Sequence, residues 1–202
     1  MEQLTTGATP PHYPFSTTPD GKTLVFQETT PSTGIDLSML ELPAGKTAPL
    51  LHSTFSESNG ELSPDGKWLA YQSNETGQEE IYVRPFPNVD GGRWQISTRG
   101  GTRPLWARTG RELFYLDGDN LLTAASVQMG ATFSASIPMR LFNTRYFSGF
   151  GGAGESVAGR TYDISPDGKR FLMIKDNLPA DQLQASIVVV LNWVEELKAR
   201  VR

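Results

Sequence analysis

A five-residue turn followed at once by an apolar strand recurs along this chain, and that repetition limits the fold more than any other feature. The best copy is Ser63-Pro64-Asp65-Gly66-Lys67-Trp68-Leu69-Ala70-Tyr71. Proline presets φ for the first corner of a type I turn, aspartate tolerates the second, and glycine takes the positive φ that returns the chain to the next strand. Ser63 can add a side-chain hydrogen bond to the turn backbone. The same arrangement stands at Thr18-Pro19-Asp20-Gly21-Lys22-Thr23-Leu24-Val25-Phe26 and at Ser165-Pro166-Asp167-Gly168-Lys169-Arg170-Phe171-Leu172-Met173. A degenerate copy, Ala107-Arg108-Thr109-Gly110-Arg111-Glu112-Leu113-Phe114-Tyr115, has lost its proline and aspartate.

Successive turn glycines, Gly21, Gly66, Gly110 and Gly168, are 45, 44 and 58 residues apart. A period of about 40 to 45 residues matches one four-stranded propeller blade. The last step is long because of a glycine-rich insertion between Thr144 and Gly159. The trios Leu24-Val25-Phe26, Leu69-Ala70-Tyr71, Leu113-Phe114-Tyr115 and Phe171-Leu172-Met173 have no polar face, as expected of sheets covered on both sides by neighbouring sheets. Blade stacking therefore explains the pattern better than a sandwich.

The expected fold is all-β: a β-propeller of four-stranded antiparallel blades, about four of them, in a single domain over residues 1–202. Blade one covers about 8–54, with strands at Tyr13–Thr17, Thr23–Glu28, Asp36–Leu42 and Lys46–Ser53. Blade two covers 55–98, with strands at Gly60–Ser63, Trp68–Ser73, Glu80–Pro85 and Arg93–Ser97. Blade three covers 99–144, with strands at Pro104–Ala107, Glu112–Leu116, Leu121–Val127 and Met139–Asn143. Blade four covers 145–191, with three strands at Thr161–Ser165, Phe171–Lys175 and Ile187–Leu191. A strand at residues 3–6 is expected to close it. Asn192 and Glu195 resemble a capping box that opens a short C-terminal helix over 193–201.

The bulk chemistry closes several function classes. A net charge of −4, a pI near 5.2 and no lysine or arginine cluster argue against nucleic-acid binding. With no cysteine there is no disulfide framework, zinc-thiolate site or thiol nucleophile. No stretch approaches the 18 or more apolar residues of a membrane span, so a soluble chain with no membrane insertion is expected.

The turns and their β-rich flanks resemble the WD40-like (PD40) repeats of TolB-type β-propellers. More narrowly, Glu61–Phe86, Arg93-Trp94-Gln95-Ile96-Ser97, Pro104-Leu105-Trp106, Phe171-Leu172-Met173-Ile174-Lys175 and Ile187-Val188-Val189-Val190-Leu191-Asn192-Trp193 look like the C-terminal propeller of bacterial eukaryotic-like serine/threonine kinases. That resemblance implies a non-enzymatic sensor or interaction module on the extracytoplasmic side, binding a protein or peptide. It departs from the family in blade number, four where relatives usually carry six or more. Two alternatives stay open: an accessory propeller of a prolyl-oligopeptidase-like peptidase, and a structural fragment that forms a full ring with a second copy, as a homodimer.

No catalytic, cofactor or metal residue is expected. Gly149-Phe150-Gly151-Gly152-Ala153-Gly154 matches a phosphate-loop pattern, but no helix-forming sequence follows it, and it reads as an interblade loop. There is no Gly-x-Ser-x-Gly elbow, and neither His12 nor His52 has a nameable nucleophile. Asp20, Asp65 and Asp167 are explained by their turns. The candidate ligand face is instead on the innermost strands, where Glu61 and Asp163 occupy the same place in two blades and Ser16 and Leu105 occupy it in the others. With the nearby Arg103 and Arg160 they can form a polar funnel or, alternatively, interblade salt bridges. A partner loop is expected at Phe147 and Phe150, with Trp94 as a third exposed aromatic, while Trp68 and Trp106 are expected in the interblade core.

Overall fold

The computed structural model describes residues 12–42, 44–130, 132–142, 159–177 and 184–190. Within them the chain forms sixteen strands in four antiparallel sheets. Blade one is β1 (Tyr13–Thr17), β2 (Thr23–Thr30), β3 (Gly34–Glu41) and β4 (Lys46–Leu51), paired in that order. Blade two is β5 (Glu57–Leu62), β6 (Trp68–Ser73), β7 (Glu80–Pro85) and β8 (Trp94–Gln95), with a single 3-10 turn at Val89–Gly91. Blade three holds β9 (Gly101–Trp106), β10 (Glu112–Asp117), β11 (Leu122–Met129), β12 (Phe133–Ala135) and β13 (Met139–Arg140). Blade four is β14 (Tyr162–Ile164), β15 (Phe171–Asn177) and β16 (Gln184–Val190).

The recurring turn has one geometry. Gly21, Gly66, Gly110 and Gly168 sit at φ of 68°, 69°, 68° and 68°, the left-handed region that only glycine enters without strain. In the best copy the Ser63 hydroxyl donates to Asp65 Oδ1 at 2.6 Å and accepts the Trp68 N–H at 3.0 Å, while Asp65 Oδ1 accepts the Lys67 N–H at 3.2 Å. Thr18 with Asp20, and Ser165 with Asp167, repeat the same three bonds. These bonds hold the Asp20 and Asp167 carboxyls below the usual range, the Thr18 and Ser165 hydroxyls being the largest cause.

Stacking follows one rule. In the first three blades the middle residue of the trio faces the following blade, and in the last three the flanking residues face the preceding one. Val25 packs with Leu69, Tyr71 and Tyr82; Ala70 packs with Leu113, Tyr115 and Val127; Phe114 packs with Phe171, Met173 and Tyr162. All three middle residues are 0% exposed, and each large one contributes about 1.5–3 kcal/mol of burial. Leu172, the middle residue of blade four, is 47% exposed.

Two differences from the sequence expectation stand out. The outer position of blade three is split, with Phe133–Ala135 pairing one end of β11 and Met139–Arg140 the other. The three-residue β12, Phe133-Ser134-Ala135, carries no turn signal, and Phe133 is recruited because Trp68, Trp94 and Trp106 leave a slot for its ring. Trp94 is therefore packed against that cluster, partly buried, and is not an exposed partner residue. In blade two, β8 shortens to two residues because the chain first makes the 3-10 turn. The expected strand at 3–6, the glycine-rich insertion and the helix at 193–201 lie outside the described residues.

Candidate functional site

Three of the four inner strands carry extra residues relative to their partners. Register slips at Phe15 in β1, at Asn59-Gly60 in β5 and at Arg103-Pro104 in β9. Asn59 and Arg103, at the same place in consecutive blades, adopt φ of 52° and 56°. Such bulges turn backbone groups out of the ladder and toward the next blade. The bulge also brings the Gly60 backbone against blade one's core side chains: a Cβ there would lie 3.0 Å from Val25 Cγ1 and 3.1 Å from Leu37 Cδ1.

The groups so released tie the blades to one another. Ser16 Oγ donates to Gly60 O at 3.1 Å and accepts the Leu62 N–H at 3.0 Å, joining blade one to blade two. Trp106 Nε1 donates to Glu61 O at 3.0 Å, joining blade three to blade two. Tyr162 donates its hydroxyl proton to Arg103 O at 2.7 Å, joining blade four to blade three. Asn59 accepts the Gly159 N–H at 3.1 Å and donates to Gln72 Oε1 at 2.7 Å, and Gln72 Oε1 also accepts the Arg103 N–H at 3.0 Å.

Arg103 is only 1% exposed, with Nε donating to Gly159 O at 2.9 Å. It is an interior cross-brace and not a surface residue of the funnel, because its bulge turns the side chain inward. Burial pulls its guanidinium down and pushes the Tyr162 phenol up.

The other three charges converge. Arg160 Nη1 donates to Glu61 Oε2 at 2.6 Å, and Asp163 stands exposed beside them. Together with Thr17, Thr18, Leu105 and Trp106 they line a depression of about 400 Å³ at the end of the blades where the turns lie. A second depression, of about 230 Å³, has Glu61 and Arg160 on its wall with Phe15, Asn59 and Pro104. Burial pushes the Glu61 carboxyl up, Asp163 adds to the rise, and Arg160 opposes it. The larger depression also takes Arg108, from the degenerate turn, which the sequence did not single out.

Glu61, Arg160 and Asp163 are thus brought together as the repeat predicts, in an arrangement that is both an interblade ion pair and the wall of a cavity. Phe147 and Phe150 lie outside the described residues.

The histidines have partners that the sequence did not reveal. Glu28 lies between His12 Nε2 at 3.8 Å and His52 Nε2 at 3.6 Å, and Ser38 Oγ contacts His52 Nε2 at 2.9 Å. Ser38 also donates to Glu28, and it is 1% exposed, so no substrate reaches it as a nucleophile. Glu28 and Ser38 meet because Phe26 opposes Ser38 in the β2–β3 ladder and Glu28 follows on the same face. Among the described residues no group of three or more histidines or carboxylates is placed to hold a metal ion.

No family model matches the sequence, and no curated protein matches it closely enough to count as a relative. Solved structures do. TolB from Acinetobacter baumannii matches over 87% of this chain with a TM-score of 0.55 and 17% identity. The β-propeller domain of the Trilobed protease from Pyrococcus furiosus, described as an open velcro topology, matches over 88% with a TM-score of 0.53 and 11% identity. A puromycin-hydrolyzing peptidase of Mycobacterium tuberculosis matches over 89% with a TM-score of 0.54 and 16% identity. The chain spans 39%, 52% and 27% of those three proteins, respectively. At these identities the likeness establishes a β-propeller fold, similar to those of TolB and of the peptidases.

Proposed function

We propose that this chain is a non-enzymatic propeller module that binds a protein or peptide segment at the depression walled by Glu61, Arg160 and Asp163. The observation that carries the reading is that residues from the inner strands of all four blades, with the turns that follow three of them, line this one concavity. Side chains presented by rigid sheets at a shared opening lose little entropy on binding, which is what recognition of a flexible segment requires. The resemblance of Glu61–Phe86, Phe171–Lys175 and Ile187–Trp193 to the C-terminal propellers of bacterial kinases supports a place as the sensor or interaction domain of a larger bacterial kinase-like protein.

The direct test is selection of a random heptapeptide library on the purified chain, repeated with Asp163→Ala and Glu61→Ala. Enrichment that both variants weaken supports the site. Absence of any enriched peptide overturns it.

A second reading is favoured by the likeness to propellers of peptidases. In it the chain gates substrate to a catalytic domain elsewhere on a longer polypeptide. The genomic sequence around the coding region separates the two: kinase motifs upstream in frame support the first, a Gly-x-Ser-x-Gly domain downstream the second. Light scattering tests assembly, since a monomer of 22.2 kDa and a ring shared by two copies differ twofold in mass.

A further inference from the structure

We infer that Arg108 sets the specificity of the depression by engaging a carboxylate of the bound peptide. This rests on the reading of the depression as a peptide site. The turn that carries Arg108 departs from its three siblings in residue type but not in backbone. Gly110 keeps its φ of 68°, and its N–H donates to Ala107 O at 2.8 Å, as Gly66 donates to Ser63 O at 2.8 Å. Proline and aspartate would fit this turn, so backbone geometry does not explain their loss.

What the loss changes is the depression. Pro19 and Pro64 line it from blades one and two, and at the corresponding place blade three presents a long cation. Charge matching at the site is uneven. Glu61 and Arg160 pair with each other at 2.6 Å. Arg108 is exposed and has no ion pair or side-chain hydrogen bond among the described residues. It lies near enough to Glu61 to feel that charge, but Arg160 occupies the carboxylate.

On the inner strand of the next blade Asp163 lines the same depression and is exposed, and among the described residues its Oδ1 accepts the neighbouring Ile164 N–H at 2.8 Å. The depression thus offers a guanidinium whose donors are free among the described residues and, from the next blade, a carboxylate able to accept peptide N–H groups. A planar guanidinium is matched by a carboxylate through two parallel hydrogen bonds. A phosphate would bring a second negative charge toward Glu61 and Asp163. A carboxylate, from an Asp or Glu side chain or from a chain terminus, is therefore the fitting ligand group.

The heptapeptide selection reads this directly when it is run on the chain and on Arg108→Gln. Enrichment of acidic residues or of a free C-terminus, lost with Arg108→Gln, supports the inference. The best peptide is then synthesised with a free and an amidated C-terminus, which separates the two sources of the carboxylate. Its affinity for Arg108→Gln should fall by about tenfold or more, as expected when a charge-assisted pair is removed.

A second variant, Arg108→Pro with Thr109→Asp, restores the turn of the other blades. It should fold at least as well as the original chain by circular dichroism and yet lose acidic-peptide binding. Peptides enriched equally by the original chain and by Arg108→Gln, with no acidic preference, overturn this inference and leave the peptide site standing. A selection that enriches nothing overturns both.

Discussion

Arg160 and Glu61, ninety-nine residues apart, meet at 2.6 Å and lock blade four to blade two across the intervening blade. Both side chains are largely covered, at 28% and 16% exposure, so the attraction is less screened than between surface charges. Loop closure over that span opposes the contact, and the Asn59–Gly159 bond beside it shares the same closure.

A double-mutant cycle of Glu61→Gln and Arg160→Gln should give a coupling of about 1–2 kcal/mol in urea unfolding. Additive single effects would mean that the pair contributes nothing beyond its separate parts.

Asn59 does two things, holding φ at 52° and bonding both Gly159 and Gln72. Asn59→Gly should relieve the backbone strain and lose only the hydrogen bonds, while Asn59→Ala loses the hydrogen bonds and adds backbone strain. Alanine is expected to destabilise by about 2–3 kcal/mol and glycine by about 1 kcal/mol less. Equal values for the two would remove the backbone contribution.

Ser63 is buried and accepts the Trp68 N–H, which alanine would leave unmatched. Ser63→Ala should cost about 1–3 kcal/mol. Ala107 holds the same place in the degenerate turn, where a serine would offer Glu112 N–H an acceptor. Ala107→Ser is expected to raise stability by about 1 kcal/mol, measured by thermal unfolding, and a loss would show that the third turn differs from its siblings.

Burial alone pushes the Glu112 carboxyl up from 4.5. An acid whose folded pKa is raised stabilises the fold at and below its unfolded value, and that contribution is lost as pH rises through the folded value. Burial raises Glu57, Glu61 and Glu79 in the same direction. Thermal unfolding should therefore show a higher midpoint at pH 5 than at pH 7. Glu112→Gln should gain about 0.5 kcal/mol near pH 7 and nothing near pH 4. A gain at both would point to packing as its source.

Leu172→Ser should change stability by less than about 0.5 kcal/mol, because the side chain is 47% exposed. Phe114→Ala, at the equivalent place in blade three and fully buried, should cost about 3–5 kcal/mol. A large loss from Leu172→Ser, accompanied by a drop in mass by light scattering, would reveal a second copy on that face.

Blade order and the inner and middle strands were legible because the turn Gly66 marks, and the trio Leu69-Ala70-Tyr71 after it, impose local geometry that needs no tertiary information. Glu61 and Asp163 were legible through the same repeat. Arg103 was not, since its burial follows from a bulge, and a positive φ at a non-glycine residue leaves no mark in the sequence. The split outer strand of blade three was missed because Phe133 is held by three tryptophans contributed from elsewhere in the chain. The Glu28 contacts with His12 and His52 were missed for a related reason: they join the ends of blade one across a ladder register that residue spacing does not specify.

The exposed middle residue of β15 has a wider meaning. At each of the three described joints the leading face of one blade offers what the next blade's trailing face accepts, so the contact is the same kind wherever it occurs. Nothing in Phe171-Leu172-Met173 differs in character from Leu113-Phe114-Tyr115, which is capped by a following blade among the described residues. Tandem duplication of one 44- or 45-residue segment would thus add a sheet without redesigning any interface, and deletion would remove one as simply. The number of sheets in this architecture is written in the gene's copy count, while the individual character of the protein is left to the few places, such as Arg108, where one copy has drifted from the rest.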